Sequence, residues 1–250
     1  MGYFQKRQAD AAGRKGYVRH VKGNRLSDAG RPEEAKALQR EAAAYYERAL
    51  ELGCARASYL MAYGVLLLRF RDYEKAKGIF LKCQGLKDLS KADRKQLRIN
   101  FAVAQWKLGA LDSAIEQLTI AAQDGKNTMI YGSLGYMLIE RAKRTGEFDE
   151  AVSFNQEAYE YDEEDAVVLD NLGQLKLAMG ERDEAKAYFL RAHEIKPRQV
   201  DTLYYLALLT LEDGDRERAR ELLSTALKGN YSALSTVTEE QARELFDRAQ

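Results

Sequence analysis

Between Leu169 and Pro197 the chain alternates two apolar-striped segments with a short polar turn, and small residues stand at Gly173, Ala185 and Ala192. The apolar positions recur at three- and four-residue intervals, which predicts a pair of amphipathic helices. The next stretch repeats the pattern: Leu169, Leu172 and Gly173 are matched by Leu203, Leu206 and Ala207, and Ala185, Phe189 and Ala192 by Ala219, Leu223 and Ala226. The period is 34 residues, and a period in this range is the mark of a repeat architecture. Followed backwards, the triplet of small sites recurs as Gly135, Ala151 and Ala158; Ala102, Ala114 and Ala121; Gly64, Ala76 and Cys83; and Gly23, Ala35 and Ala49. Each turn carries a related hexapeptide: "GRPEEA", "RDYEKA", "GALDSA", "GEFDEA", "GERDEA" and "GDRERA".

Small residues at these sites and this turn resemble the tetratricopeptide repeat (TPR), and the resemblance extends from Gly16 to about Tyr231. It implies an all-α fold, a right-handed α-solenoid of about six helix pairs. The repeats are expected at about 16–56, 57–94, 95–127, 128–165, 166–199 and 200–231. The first two small residues of each triplet let the paired helices approach, and the third admits the next repeat; a large side chain there overpacks the contact. Cys83 thereby fills a packing position.

The spacing is uneven. Seven extra residues between Ala35 and Ala49 amount to about two turns, so the second helix is longer and its apolar face stays in phase. Four extra residues between Gly135 and Ala151 lengthen the helix around Tyr136 and should carry it and its turn beyond their neighbours. Ser90 and Asp93, in the connection "QGLKDLSKADR", form a capping-box-like helix start, and Thr238 with Gln241 forms another. Behind the latter, residues 238–249 are expected to be a helix that caps the solenoid. Residues 1–15 are read as a basic arm or a frayed helix.

Charge modifies this picture locally. The formal net charge is 0, so no global field points to nucleic acid or a membrane surface. Residues 1–31 nevertheless carry 8 basic side chains against 2 acidic ones, and 147–170 carries 10 acidic and no basic residues. Solvated helix faces and turns account for such runs. The two cysteines, Cys54 and Cys83, lack metal-ligand spacing and fit reduced thiols of a cytoplasmic protein. No signal peptide or apolar span of membrane length is visible, and the Asn230-Tyr231-Ser232 sequon is read as chance.

Catalytic chemistry is not expected. The two histidines, His20 and His193, fall towards opposite ends of the expected solenoid, and no nucleophile, zinc or phosphate-loop motif occurs; the Gly125-Lys126 pair of "DGKN" lacks the upstream glycine, and Asn127 stands directly after the lysine where Ser or Thr is required. No metal or cofactor is expected, and no small-molecule substrate.

The resemblance instead implies a protein or peptide partner, held in a concave groove lined by first helices. By helical phase the groove positions are Tyr17, His20, Asn24, Met61, Val65, Leu68, Ile99, Val103, Trp106, Tyr136, Ile139, Asp170, Gln174, Leu177, Tyr204, Leu208 and Leu211. Its middle is apolar and suits an amphipathic helix or an aromatic-bearing peptide, with Trp106 and Tyr136 as anchors. TPR domains that clamp a C-terminal carboxylate use Lys and Asn at such positions; only Asn24 fits, so that activity is not implied. Two other readings remain open: docking on nucleic acid or anionic membrane through Lys6, Arg7, Arg14, Lys15, Arg19, Lys22 and Arg25, and self-association of the basic end with the acidic 147–170 stretch. Lys176 stands where the family usually has a large apolar residue, its stem packing and its charge reaching solvent.

Overall fold

The computed structural model describes residues 2–86 and 89–250. Met1, the middle of the "QGLKDLSKADR" connection (Lys87 and Asp88) and the side chain of Asp28 lie outside the described residues. The described chain is helical throughout: α1 (Tyr3–Asp28), α2 (Pro32–Glu51), α3 (Ala57–Arg69), α4 (Tyr73–Gln84), α5 (Lys91–Lys107), α6 (Leu111–Gln123), α7 (Thr128–Thr145), α8 (Asp149–Tyr161), α9 (Ala166–Ala178), α10 (Arg182–Ile195), α11 (Val200–Glu212), α12 (Arg216–Ala226) and α13 (Glu239–Arg248). The fold class is an α-solenoid of helix pairs. Two compact units divide it, Met1–Gln117 and Leu118–Gln250, with the border inside α6.

Local chemistry places the helix ends. Asp72, Ser90, Asn127, Asp165 and Asp215 each accept a backbone N–H at the start of α4, α5, α7, α9 and α12. Thr238 and Gln241 complete a reciprocal capping box at α13. Inside the pairs, the turn hexapeptide opens on a left-handed residue. Gly30, Gly109, Gly146, Gly180 and Gly214 all have φ between 71° and 90°, and Arg71 takes the same place in "RDYEKA" with φ 60°.

All eighteen small-residue sites are buried. A Cβ on Gly64 would stand 2.2 Å from the Phe80 ring, and one on Gly173 would stand 2.6 Å from the Phe189 ring. These are helix-to-helix approaches that only glycine allows. Cys83 is fully buried and reduced.

In the first unit, residues 3–15, for which an arm and a frayed helix were both open, form one continuous helix with 16–28. The reason is a face of small side chains. Ala9, Ala12, Gly13 and Gly16, at helical spacing, are all buried. A Cβ at Gly13 would meet the Tyr59 ring at 2.3 Å, and one at Gly16 would meet Tyr46 at 3.0 Å. With its seven extra residues α2 reaches 20 residues and packs along the 26-residue α1. α7, at 18 residues, is longer than the 13-residue α9 and α11.

In the second unit, Ala185, Phe189, Leu203, Leu206, Leu223, Ala242 and Leu245 belong to one apolar cluster built from α10 to α13. α13 covers the apolar faces of α11 and α12, which would otherwise remain in water.

Candidate functional site

On the first unit, α1, α3 and α5 are the first helices, and α3 packs against both of the others. Tyr17 is 46% exposed, its ring 6.3 Å from that of Tyr59. Met61, Val65 and Trp106 are half-buried, and the Lys107 ammonium lies 3.7 Å from the Trp106 ring centroid. Asn24 accepts a hydrogen bond from Arg69. Leu68, Ile99 and Val103, by contrast, are buried. They were expected to face a groove, but they belong to the core: a first helix is flanked by other first helices, so much of the face opposite its own partner is covered.

His20 also turns inward. Burial, and then the Arg69 charge, push its imidazole down to about 4, and its ring meets Tyr46 edge-on. The basic side chains of α1 are partly engaged at home. Arg19 pairs with Glu41 at 2.7 Å, and both Arg19 and Lys15 lie over the Tyr45 ring.

On the second unit, α9 packs against α7 and α11. Tyr136, Ile139, Asp170 and Gln174 are buried, which removes them too from an open apolar groove. Leu177, Tyr204, Leu208 and Leu211 are partly buried and pack on the cluster that contains the α13 residues. What covers Asp170 and Gln174 is largely polar. Thr202 Oγ1 donates to Asp170 Oδ1 at 2.6 Å, and Gln174 Nε2 donates to Oδ2 at 2.7 Å. Gln199 Nε2 in turn donates to Thr202 Oγ1 at 3.0 Å and to the Ala166 carbonyl at 3.2 Å. Burial, and then the nearby Asp201 carboxylate, raise the Asp170 carboxyl to about 7. Burial also pushes the Tyr136 and Tyr205 phenols far up.

Asp201 was not among the sequence candidates. Its Oδ1 accepts from Thr236 N at 2.6 Å, Thr236 Oγ1 at 2.9 Å and Val237 N at 2.9 Å. Gln174 Nε2 also donates to Thr236 Oγ1, at 3.2 Å. The segment joining α12 to α13 therefore lies across α9 and the start of α11. The signal in sequence was the hydroxyl-rich run Ser232–Thr238, too short and aperiodic to register among repeats.

The acidic 147–170 stretch is partly used within the fold. Glu157 pairs with Lys126 at 2.6 Å and accepts the Tyr131 hydroxyl, Glu150 pairs with Arg141, Asp165 caps α9, and Asp170 is buried. Lys176 is half-buried and bonds Glu181 and Glu184. No described helix is long and apolar enough to cross a membrane.

Residues 18–53 and 166–199 each match a family described as "Tetratricopeptide repeat". Comparison with curated proteins gives no match. Among solved structures, the chain resembles TTC0263, a thermophilic TPR protein of Thermus thermophilus. The identity is 18% and the TM-score 0.64, over 78% of this chain and 98% of that one. It also resembles a chain of the APC/C hetero-tetramer Cut9–Hcn1 at 15% identity and TM-score 0.62, covering 94% of this chain and 46% of the other. At such identities the likeness is one of fold.

Proposed function

The chain is a tetratricopeptide-repeat protein, and from that premise we propose that it is a non-catalytic scaffold whose first-helix faces bind a peptide or helix of a partner protein. TPR proteins are generally scaffolds of this kind, and their partners are proteins or peptides. The observation that carries the reading lies on the first unit. Tyr17, Met61, Val65 and Trp106 keep apolar or aromatic surface accessible on α1, α3 and α5, beside the polar Asn24–Arg69 pair. An apolar centre with a polar rim is the composition of a protein-binding patch, and aromatic residues supply most of the energy in such patches.

The test compares proteins that copurify with the wild type and with a Met61→Glu, Val65→Glu double variant. Both positions are half-buried, so a charge there reaches water while spoiling an apolar contact. Lys82→Glu, on the exposed side of α4, serves as the control. The partner should be lost from the double variant and kept by the control. Retention by the folded double variant refutes the reading for this face.

A further inference from the structure

The connection between α12 and α13 is built into the second unit. Ser235 and Val237 are buried, while Asn230, Ser232 and Leu234 just before them are exposed. Two consecutive backbone N–H groups, of Thr236 and Val237, converge on a single oxygen of Asp201, and the Thr236 hydroxyl adds a third hydrogen bond to it. The same hydroxyl receives Gln174 Nε2 from α9. These contacts join residues 35 and 62 positions apart in sequence. A carboxylate that reads two successive amides, next to a carboxamide that reads a hydroxyl, has the chemistry of a site that recognises a bent peptide. The floor of the site is also polar: Gln174 Oε1 is buried and has no hydrogen-bond partner among the described residues.

The strap and the helix that follows it are held differently. α13 is fixed by close packing of Ala242, Leu245 and Ala249 in the cluster with α11 and α12. The strap is held by charge-assisted hydrogen bonds to Asp201 and by burial of Ser235 and Val237, contacts of a short segment that another peptide can reproduce. It can therefore leave while its flanking helices stay in place, as a local opening below global unfolding.

We propose that Ser235–Val237 is a built-in occupant of a peptide site on α9 and α11, and that the site takes from a partner a non-helical peptide turn bearing Ser or Thr followed by a β-branched residue. This rests on the reading that first-helix faces of the chain bind peptides. The tethered strap competes at high effective concentration, so such a peptide binds the wild type weakly and a loosened chain tightly.

The probe is a blocked, fluorescent peptide with the sequence of residues 232–238. Thr236→Pro removes one amide donor and the hydroxyl from the strap and leaves Asp201, Gln174 and Asp170 untouched. Anisotropy should show at least about ten-fold tighter binding to Thr236→Pro than to the wild type, lost when Asp201→Ala is added or when the peptide sequence is scrambled. Equal binding to the two chains, or equal binding of the scrambled peptide, overturns the proposal.

A second measurement uses the wild type alone. Hydrogen exchange of 232–238 should accelerate several-fold with excess peptide while 239–248 stay protected; unchanged exchange of the strap is a refutation. The Met61→Glu, Val65→Glu test concerns the other unit. If that variant loses its partner while the strap peptide fails, the strap proposal alone has fallen.

Discussion

Replacing Gly64 by alanine should destabilise the protein, while the same replacement at Gly78, one helix later, should stabilise it. Both glycines are interior to helices, α3 and α4, so both changes gain about 1 kcal/mol of helix propensity. Their surroundings differ. A Cβ on Gly64 would sit 2.2, 2.7 and 2.8 Å from three atoms of the Phe80 ring, which is fully buried and has nowhere to retreat. A Cβ on Gly78 would meet nothing within 4 Å. Overpacking of this severity costs about 3 kcal/mol, at the upper end of the usual range, leaving a net loss of about 2 kcal/mol for Gly64→Ala. Gly78→Ala keeps most of its gain. Urea unfolding followed by circular dichroism measures both against the wild type. The variants should move the midpoint in opposite directions with similar slopes. If Gly64→Ala unfolds at or above the wild-type midpoint, the approach of α3 to Phe80 is not what requires glycine, and the packing account of the small sites fails.

Three further outcomes follow from the same structure. The Asp170 carboxyl is raised to about 7 in the fold against about 4 when unfolded, so the folded chain holds the extra proton between those values; stability contributed by Asp170 falls as pH rises from about 4 to 7 and is flat above. Asp201 is the charge acting on it, with Glu140 and Tyr136 of α7 and Tyr205 of α11 in the same region; Asp170→Asn should flatten that slope in urea titrations at several pH values. Both imidazoles are lowered, and proton NMR should find His20 titrating near 4; the stability it contributes is present above about 6.5 and lost as pH falls towards 4, and a His20 titration near 6.5 in the folded chain would contradict its burial beside Arg69. Arg71→Gly should raise stability by about 0.5–1 kcal/mol in urea unfolding, because Arg71 holds a left-handed φ that glycine takes without strain; no gain would mean that the Arg71 side chain itself stabilises the turn.

The helix pairs and their packing were legible because they are local and periodic. The triplets from Gly23, Ala35 and Ala49 to Ala207, Ala219 and Ala226 mark contacts between neighbouring helices, and those contacts recur with the repeat. The Thr238–Gln241 capping box and the Ser90 cap were equally plain, each lying within a single turn. The first half of α1 was legible only as an arm or a frayed helix, because its packing face is Ala9, Ala12, Gly13 and Gly16, small residues that give no apolar stripe.

The candidate site was legible only in part. Helical phase says which way a side chain leaves its own helix, and it placed Met61, Val65 and Trp106 on surfaces that keep some exposure. It does not say what another element lays on top. Ile99 and Ile139 went into the core, Tyr204 and Leu208 onto the cluster joined by α13, and Gln174 beneath a strap that reaches it from 62 residues away. The sequence by itself determined the repeat, the paired helices and the residues small enough to let them meet, since each depends on near neighbours. Only the tertiary structure decided which groove positions stay open and that Asp201 receives Thr236 and Val237, because such contacts join distant segments once and leave no period to read.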